Sequence, residues 1–388
     1  MTATEALAAL AASEYGDLPE EVIARAKTSI RDVLGVALYG SRHEVGELVG
    51  GYVDRAAPGE AATVLGRGTA SPPGAALANG TFAHAVDYDD TFESMVLHPS
   101  APVFPAALAA AESSGASGRD LLTGYVLGVE AAFRVGHSVY PSHYEHGWHH
   151  TGTIGCFGAA TAAASVLDLP EAETRNAFGI VASGSSSLKK NFGSMTKPLH
   201  PGHAAGTGLR AAMLAAAGFT GDDEILDGEM GYGAVMSPDG SYDPTMIEEG
   251  GERWGMLDNG FKRQGYSAIM DNLSEYFVLN YHAYEDYIGE GSSGVPGHIP
   301  GAFQFTPYQS LSYEQMLGMI PTDMPVIVYC WTGQHSSQIA AYLNMLGYDA
   351  YSLTFGSNSL FYDDLTAHKW SAAQTNDFAL ETTTVAAK

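Results

Sequence analysis

The sequence predicts two domains, an all-α helical domain followed by a small α/β domain with a parallel sheet. A chain of 388 residues is longer than one typical domain. From Glu5 to about Met230 the chain is rich in Ala, Leu and Gly, and its apolar residues recur with helical spacing. Beyond about residue 262, short runs of β-branched and aromatic residues replace that pattern. We therefore place the domains at 1–262 and 268–388, with no low-complexity linker between them.

Several segments of the first domain predict individual helices. One follows Pro19 and ends at Gly40, because proline favours the first turn of a helix and glycine favours its end. Four later segments share its apolar spacing: APVFPAALAAAESSG, GRDLLTGYVLGVEAAFRVG, CFGAATAAASVLDL and GTGLRAAMLAAAGFTG. Their many small residues indicate helices that pack closely on several sides.

The second domain begins with alternating strand and helix signals. EYFVLN (275–280) and MPVIVYC (324–330) are short apolar runs typical of buried strands. SSQIAAYLNMLG (336–347) has the spacing of an amphipathic helix, and DAYSLTFG supplies a further strand. A strand, a helix and a strand at this spacing predict a parallel sheet.

Composition excludes several classes of function. Hydrophobic residues make up 45% of the chain, which excludes intrinsic disorder. The formal net charge of −26 repels nucleic-acid phosphates and anionic lipid, so we expect neither nucleic acid nor a membrane as a partner. Two cysteines, Cys156 and Cys330, cannot make a disulfide framework or a cysteine-based zinc site. With no signal peptide and no membrane-length apolar stretch, the sequence predicts a cytoplasmic protein.

Residues 174–221 contain no Asp or Glu although the chain as a whole is acidic. The same window holds Arg175, Lys189, Lys190, Lys197, Arg210, His200 and His203. A local excess of cations in an acidic protein is suited to an anionic substrate. Because some of these residues are expected to lie on solvated helix faces, Lys197 is the main binding candidate.

Acidic residues cluster shortly before a proline-bounded helix, in NGTFAHAVDYDDTFESMVLHPSAP (79–102). Asp87, Asp89 and Thr91 match the spacing of the nucleophile motif of haloacid-dehalogenase phosphatases. That chemistry needs a buried parallel strand directly upstream, which GTFAHAV does not supply, so we reject it. Adjacent carboxylates commonly cap helix ends, which is the ordinary expectation for Asp89 and Asp90.

Four histidines in HYEHGWHHTGTIGCFGAA (143–160) suggest a metal site. His143, His146 and His149 share a spacing that can place imidazoles on one helix face. No cysteine or suitably spaced carboxylate completes a ligand set, so we predict no metal and no cofactor. Cys156, inside an Ala/Gly helix, is predicted to be a small core residue.

The blocks NGTFAHAVDYDDT, LHPSAPVFPAALA, GWHHTGTIGCFGAA and NFGSMTKPLHPGHAA resemble, in order, the MmgE/PrpD family of 2-methylcitrate dehydratases and cis-aconitate decarboxylases. The resemblance covers residues 1–262. It implies a large helical domain, a smaller lid domain, a homodimer, and metal-independent dehydration or decarboxylation of a small di- or tricarboxylate.

The resemblance also implies site residues. The catalytic positions are Asp87, His98 and His149, and the substrate-binding positions are Thr91, Lys197 and Lys262. An ammonium can neutralise substrate carboxylates, and an imidazole can move a proton near neutral pH. After Lys262 the family pattern stops, so the helical half is predicted to be present and the family lid domain to be replaced.

In the second domain, Cys330 is predicted to lie at the carboxyl end of a strand, on a loop that opens a helix. Backbone N–H groups of such a loop can hold an anion, and the helix N-terminus favours a thiolate. With GHIPGAFQF upstream, this region resembles a rhodanese-like domain, which implies a catalytic Cys330, a substrate loop containing Gly333 and His335, and a sulfane-sulfur donor. His335 stands where that family commonly has an arginine.

Three functional hypotheses follow. The chain is a lyase for a small polycarboxylate whose second domain acts as an unusual lid or regulator. Alternatively, it is a sulfurtransferase or persulfide carrier with a helical scaffold. The third hypothesis is a catalytically incomplete binding or chimeric protein. Chain length and the set of helical site residues favour the lyase.

Overall fold

A computed structural model describes residues 1–92, 94–250, 254–260, 263–264, 273–292, 296–307, 309–310, 316–331, 333–346, 348–353, 356–361 and 365. The chain divides into two compact units, Met1–Phe261 and Lys262–Lys388. None of the described helices is both long enough and apolar enough to cross a membrane.

The first unit is helical, which confirms the predicted fold class. Its longer helices pair their buried Ala, Val and Leu side chains around one core. In chain order the helices are α1 (Ala3–Ala11), α2 (Glu20–Gly40), α3 (Glu44–Ala56), α4 (Pro72–Ala83), α5 (Ser100–Ser114), α6 (Gly118–Val139), α7 (Ser142–Glu145), α8 (His150–Thr153), α9 (Gly155–Val166), α10 (Glu171–Ala182), α11 (Thr196–Ala216), α12 (Tyr232–Met236), α13 (Thr245–Glu248) and α14 (Gly255–Asp258).

Two short antiparallel strand pairs, which the sequence analysis did not predict, accompany these helices. β1 (Ala62–Val64) pairs with β2 (Gly68–Ala70), and β3 (Thr91–Phe92) pairs with β4 (Asn259–Gly260). Each strand has only two or three residues, and those of β1 and β2 are mostly Ala, Gly and Thr. Strands this short and this poor in large β-branched residues carry no clear sequence signal.

The central helices approach one another closely because glycines line their contacts. A Cβ added to Gly128 of α6 would lie 2.5 Å from the carbonyl oxygen of Gly158 in α9. Conversely, a Cβ added to Gly158 would lie 2.7 Å from the carbonyl oxygen of Gly128. The backbones of α6 and α9 therefore touch directly, which explains why this part of the sequence is so rich in small residues.

The second unit contains a five-stranded sheet in the order β5-β9-β8-β6-β7, and every neighbouring pair is parallel. Its strands are β5 (Arg263–Gln264), β6 (Phe277–Asn280), β7 (Phe303–Gln304), β8 (Val326–Tyr329) and β9 (Ala350–Leu353). The described part of this unit includes the helices α15 (Tyr284–Tyr287), α16 (Gln334–Met345) and α17 (Asn358–Phe361). The predicted α/β class with a parallel sheet is thus confirmed.

We expect Gly128→Ala to destabilise the helical unit, because the new methyl group would collide with the α9 backbone. Overpacking of this kind typically costs about 1–3 kcal/mol. Gly118→Ala at the start of the same helix is the matched control, since no atom lies within 4 Å of its added Cβ. Urea unfolding followed by far-ultraviolet circular dichroism should show a lower midpoint for Gly128→Ala alone. Equal midpoints would contradict the close α6–α9 contact.

Candidate active site

The loop after α4 carries the first group of site residues. His84 is the residue that ends α4, and Asp87 follows it with a backbone φ of +53°. Aspartate tolerates this left-handed conformation better than most residues, yet a non-glycine residue there is uncommon. Backbone conformations of this kind cluster at functional sites. The turn brings the Asp87 carboxylate back toward the end of α4.

Asp89 holds two histidines from its buried position. Its Oδ1 lies 2.8 Å from His84 Nδ1, and its Oδ2 lies 3.4 Å from His98 Nδ1. The rings of His84 and His98 meet edge to face, with centroids 4.6 Å apart. The two imidazoles outweigh the opposing effect of burial and hold the pKa of Asp89 below its usual range. Asp89 is therefore an ionised group inside the protein, not a helix cap.

Its neighbour Asp90 does behave as a cap. Its carboxylate accepts hydrogen bonds from the backbone N–H of Ser100, 3.2 Å away, and from the Ser100 hydroxyl. Ser100 is the first residue of α5. The ordinary expectation for adjacent carboxylates thus describes Asp90 and fails for Asp89, because two imidazoles replace the helix N–H groups as partners of Asp89.

Lys197, in the first turn of α11, reaches the same loop. Its Nζ lies 2.6 Å from Asp87 Oδ2, and His98 Nε2 lies 3.6 Å from Asp87 Oδ1. The Lys197 and Asp87 side chains keep 20% and 18% exposure, whereas His98 is buried. The structure therefore brings a cation, a carboxylate and an imidazole together where solvent still reaches the cation.

His149 lies directly before α8 on the other side of His84. The ring centroids of His149 and His84 are 5.9 Å apart, and His149 Nδ1 lies 2.9 Å from His200 Nδ1. Phe192 packs edge to face against His149, and Lys197 lies over the same Phe192 ring. Because His200 is one helical turn after Lys197 on α11, one helix face supplies both residues.

The pKa values of the two predicted catalytic histidines, His98 and His149, are shifted in opposite directions. Burial alone would lower the pKa of His98, but the carboxylates of Asp89 and Asp87 outweigh it and raise that pKa. Burial, followed by the positive field of His84 and Lys197, lowers the pKa of His149 well below its usual value. One imidazole whose charged form is favoured beside another whose neutral form is favoured is an arrangement suited to paired acid and base roles.

The remaining residues predicted for this site have other placements. The Thr91 hydroxyl lies within β3 and donates to the carbonyl oxygen of Leu97 at 3.2 Å. Lys262 lies outside the described residues. Arg175, from the acid-free window, pairs instead with Asp223 at 2.9 Å and with Glu5 at 3.6 Å.

The histidines near His149 do not form a ligand set with it. His143 bonds to the Thr153 hydroxyl at 2.8 Å, and His150 bonds to the carbonyl oxygen of Met95 at 2.9 Å. Burial lowers the pKa of His143 to about 4 and that of His150 to about 3. Both are neutral core residues near pH 7. Cys156 is also buried, and burial raises its thiol pKa to about 12.

In the second unit, Cys330 directly follows β8 and Gly333 precedes α16. The backbone N–H of Ser336 points at Cys330 Sγ from 3.3 Å, and Gly333 has a φ of +89°. Cys330 itself is only 1% exposed, whereas His335 is exposed. The sulfur thus faces the N-terminal turn of α16, and a positive φ at Gly333 lets the chain turn there.

Sequence reasoning did not name His84, expected Asp89 to cap a helix, and named His200 only among the cations of the acid-free window, yet all three belong to the helical site. His84 stands three residues before Asp87, and His200 three residues after Lys197. Each of these two histidines thus lies three residues from a predicted site residue, and this short separation is the sequence feature that could have identified them. The pairing of Asp89 with two imidazoles depends on the loop conformation and had no sequence signal.

The helical unit thus holds buried histidines beside a lysine–aspartate pair, and the second unit is a small α/β domain with a parallel sheet. The model of the MmgE/PrpD N-terminal domain matches residues 5–245, and that of the rhodanese-like domain matches residues 275–360. The chain belongs to the MmgE/PrpD family and carries a rhodanese-like domain, as its sequence blocks indicated.

Named relatives match the first unit. Human cis-aconitate decarboxylase is 34% identical over 241 residues, which are 60% of this chain and 49% of that protein. The cis-aconitate decarboxylase-like protein oryM of Aspergillus oryzae is 31% identical over 254 residues, 61% of this chain and 53% of its own. The chain thus spans about half the length of the curated relatives that it matches.

The pKa of Asp32 in α2 depends on the negative charges of the nearby site residues Asp89 and Asp90. Burial, reinforced by Asp90 and Asp89, raises its pKa to about 7. A carboxyl group whose pKa is higher in the folded state stabilises the fold at low pH, and that contribution disappears as the pH rises through the folded pKa. Asp32→Asn should therefore raise the melting temperature increasingly between pH 5 and pH 7.

The gain should level off above pH 8 at about 1–2 kcal/mol, because solvent screening reduces the full value of the shift. Glu21→Gln, an exposed substitution on the same helix, is the control and should show no such trend. Differential scanning calorimetry of the whole chain measures both variants. An equal gain for Asp32→Asn at every pH would refute the raised pKa.

Proposed function

We propose that the helical unit is a lyase that dehydrates or decarboxylates a small di- or tricarboxylate such as 2-methylcitrate or cis-aconitate. The observation that carries the proposal is the convergence of Lys197, Asp87 and His98 within 3.6 Å contacts in a family whose named relatives are cis-aconitate decarboxylases. Their closeness matters because the site must bind a substrate carboxylate and, at the same time, hold the reacting carbon next to a proton-transfer group.

Lys197 is the substrate anchor in this proposal. Its ammonium is partly exposed and pairs with Asp87, so a substrate carboxylate can take the place of the aspartate there. Asp87 then depends on His98, whose Nε2 lies 3.6 Å from its Oδ1, for a positively charged partner. His200 lies one turn further along α11, where it is buried and contacts His149, so this helix links the anchor to a proton-transfer group. The acid-free stretch of chain around Lys197 adds no carboxylate of its own to the site, so its positive charge and the histidines balance Asp87 and Asp89.

His98 and His149 are the proton-transfer groups. Because the carboxylates of Asp89 and Asp87 favour its charged form, His98 supplies a proton to the leaving group or to the carbon that loses carbon dioxide. His149 is neutral and accepts a proton from carbon in dehydration. Asp89 fixes the ring of His98 through Nδ1, which leaves Nε2 directed at the substrate side.

We expect Lys197→Met to lower kcat/KM for cis-aconitate or 2-methylcitrate by about 10- to 100-fold. The loss corresponds to about 1.5–3 kcal/mol for one charge-assisted hydrogen bond to a carboxylate. Lys190→Met is the matched control, because Lys190 is an exposed lysine seven residues earlier in the same acid-free window. Product formation by the whole chain, followed by chromatography, measures both. A loss shared by the two variants would contradict a specific anchor.

A second candidate function rests on Cys330. The N–H of Ser336 directed at its sulfur, together with the match to a rhodanese-like domain, supports sulfur transfer by way of a persulfide on this cysteine. An exposed His335 would face an anionic donor such as thiosulfate and can supply positive charge only when protonated.

We expect iodoacetamide to modify Cys330 faster than Cys156 near pH 7, because burial raises the pKa of the Cys156 thiol to about 12. Peptide mass spectrometry distinguishes the two sites. Cys330→Ser should abolish thiosulfate-dependent sulfur transfer, and His335→Arg should raise the rate because a guanidinium keeps its charge. Equal modification of both cysteines, or a rate unaffected by Cys330→Ser, would end the sulfurtransferase proposal.

A further inference from the structure

Four side chains of the helical unit gather as metal-ligating groups do. Single ligand atoms from His84, Asp87, Asp89 and His98 all lie within 4.8 Å of one another. His84, Asp89 and His98 are buried, and Asp87 is partly exposed, so the group opens toward solvent on the Asp87 side. Two imidazoles and a carboxylate are a donor set used by proteins for transition-metal ions.

The orientation of the two rings is what a metal site requires. His84 Nδ1 lies 2.8 Å from one oxygen of the Asp89 carboxylate. His98 Nδ1 lies 3.3 Å from the backbone carbonyl oxygen of Asp89 and 3.4 Å from its other carboxylate oxygen. Carboxylate and carbonyl oxygens only accept hydrogen bonds, so each Nδ1 donates, and each ring carries its lone pair on Nε2 when that ring is neutral. Histidines that bind metals are almost always held in this way by a carboxylate or carbonyl behind the ring.

The two Nε2 atoms converge on one oxygen. His84 Nε2 and His98 Nε2 each lie 3.6 Å from Asp87 Oδ1. Within the described part of the chain the buried His84 Nε2 makes no hydrogen bond, although the His84 side chain has no exposed surface. A lone pair that faces a carboxylate oxygen is unfavourable unless a positive charge lies between them.

The spacing fits a small divalent cation. Ligand atoms of a tetrahedral zinc site, with bonds of about 2.0–2.2 Å, lie roughly 3.3–3.6 Å apart. We propose that His84 Nε2, His98 Nε2 and Asp87 bind a divalent transition-metal ion such as Zn²⁺, with Asp89 as the shared carboxylate behind both rings. Solvent on the Asp87 side supplies the fourth ligand. Two nitrogen donors select such ions over Mg²⁺ and Ca²⁺, which prefer oxygen.

The ion is a competitor of the groups used in the proposed lyase reaction, and its binding is independent of whether that reaction occurs. Lys197 Nζ lies 2.6 Å from Asp87 Oδ2, so a bound cation and the ammonium repel each other across one carboxylate. Removal of the lysine charge should therefore strengthen metal binding. A substrate-binding lysine that merely stabilised the fold would not have this effect.

The test uses the whole chain after treatment with a chelator. Titration with Zn²⁺ by calorimetry gives the affinity, and titration with Co²⁺ gives the visible absorption of a tetrahedral nitrogen–oxygen site. We expect one ion per chain at this site. Asp87→Asn should weaken it by more than about 100-fold, and Asp89→Asn by about 10- to 100-fold, the usual loss for a residue behind the ligand.

Two further variants have different expected directions. Lys197→Met should tighten binding several-fold, and His146→Ala, which removes an exposed histidine, should leave it unchanged. Circular dichroism confirms that each variant is folded, and the Lys197 and Asp89 variants preserve the test if Asp87→Asn does not fold. The proposal would be overturned if the wild-type chain bound no metal at millimolar concentration. It would also be overturned if only His146→Ala lost metal binding, or if all folded variants bound the metal with equal affinity.

Discussion

The helical site depends on the close approach of α4 and α11. A Cβ added to Gly202 of α11 would lie 2.2 Å from the Thr81 hydroxyl oxygen of α4, and one added to Gly80 would lie 2.8 Å from the Gly202 Cα. Because α4 ends at Ala83, directly before His84, and α11 begins at Thr196, directly before Lys197, this contact fixes the distance between the loop of Asp87 and the lysine. Larger residues at either glycine would separate the two halves of the site before they changed its chemistry.

Local pattern was sufficient to predict most of the fold, and the exceptions have physical causes. The apolar runs that became β6 and β8 were recognisable because buried parallel strands are apolar on both faces. The strands β1 to β4 are too short to show alternation. In the site, Lys197 was identified because it lies in an acid-free stretch, whereas Asp89 looked like a helix cap. Its actual partners are two imidazoles that only the turn at Asp87 brings into reach.

In the second unit, the polar side chains buried around the strands next to Cys330 are uncharged. The Asn280 side chain donates to the Tyr329 hydroxyl at 2.7 Å, which joins β6 to β8 without a charge. His282 is buried against Trp331, and burial lowers its pKa to about 3. Close beside Cys330, Gly356 has a φ of +53°, and an added Cβ would lie 2.1 Å from the Cys330 carbonyl oxygen. The backbone around the cysteine is therefore fixed by packing, and in the proposed sulfur transfer an anionic donor would meet the backbone N–H groups of the loop and the exposed His335.

Charge balance links the proposed reaction to the proposed metal site. Asp87 has two oxygens with separate tasks, since Oδ2 faces the Lys197 ammonium and Oδ1 faces two Nε2 atoms. A proton on His98 or a metal ion can satisfy Oδ1, and both require Asp89 to remain ionised behind the rings. A substrate carboxylate that takes Lys197 leaves Asp87 more negative, which favours the proton on His98 at the moment when it is needed. The buried Asp89 carboxylate thus determines what the partly exposed Asp87 carboxylate can bind.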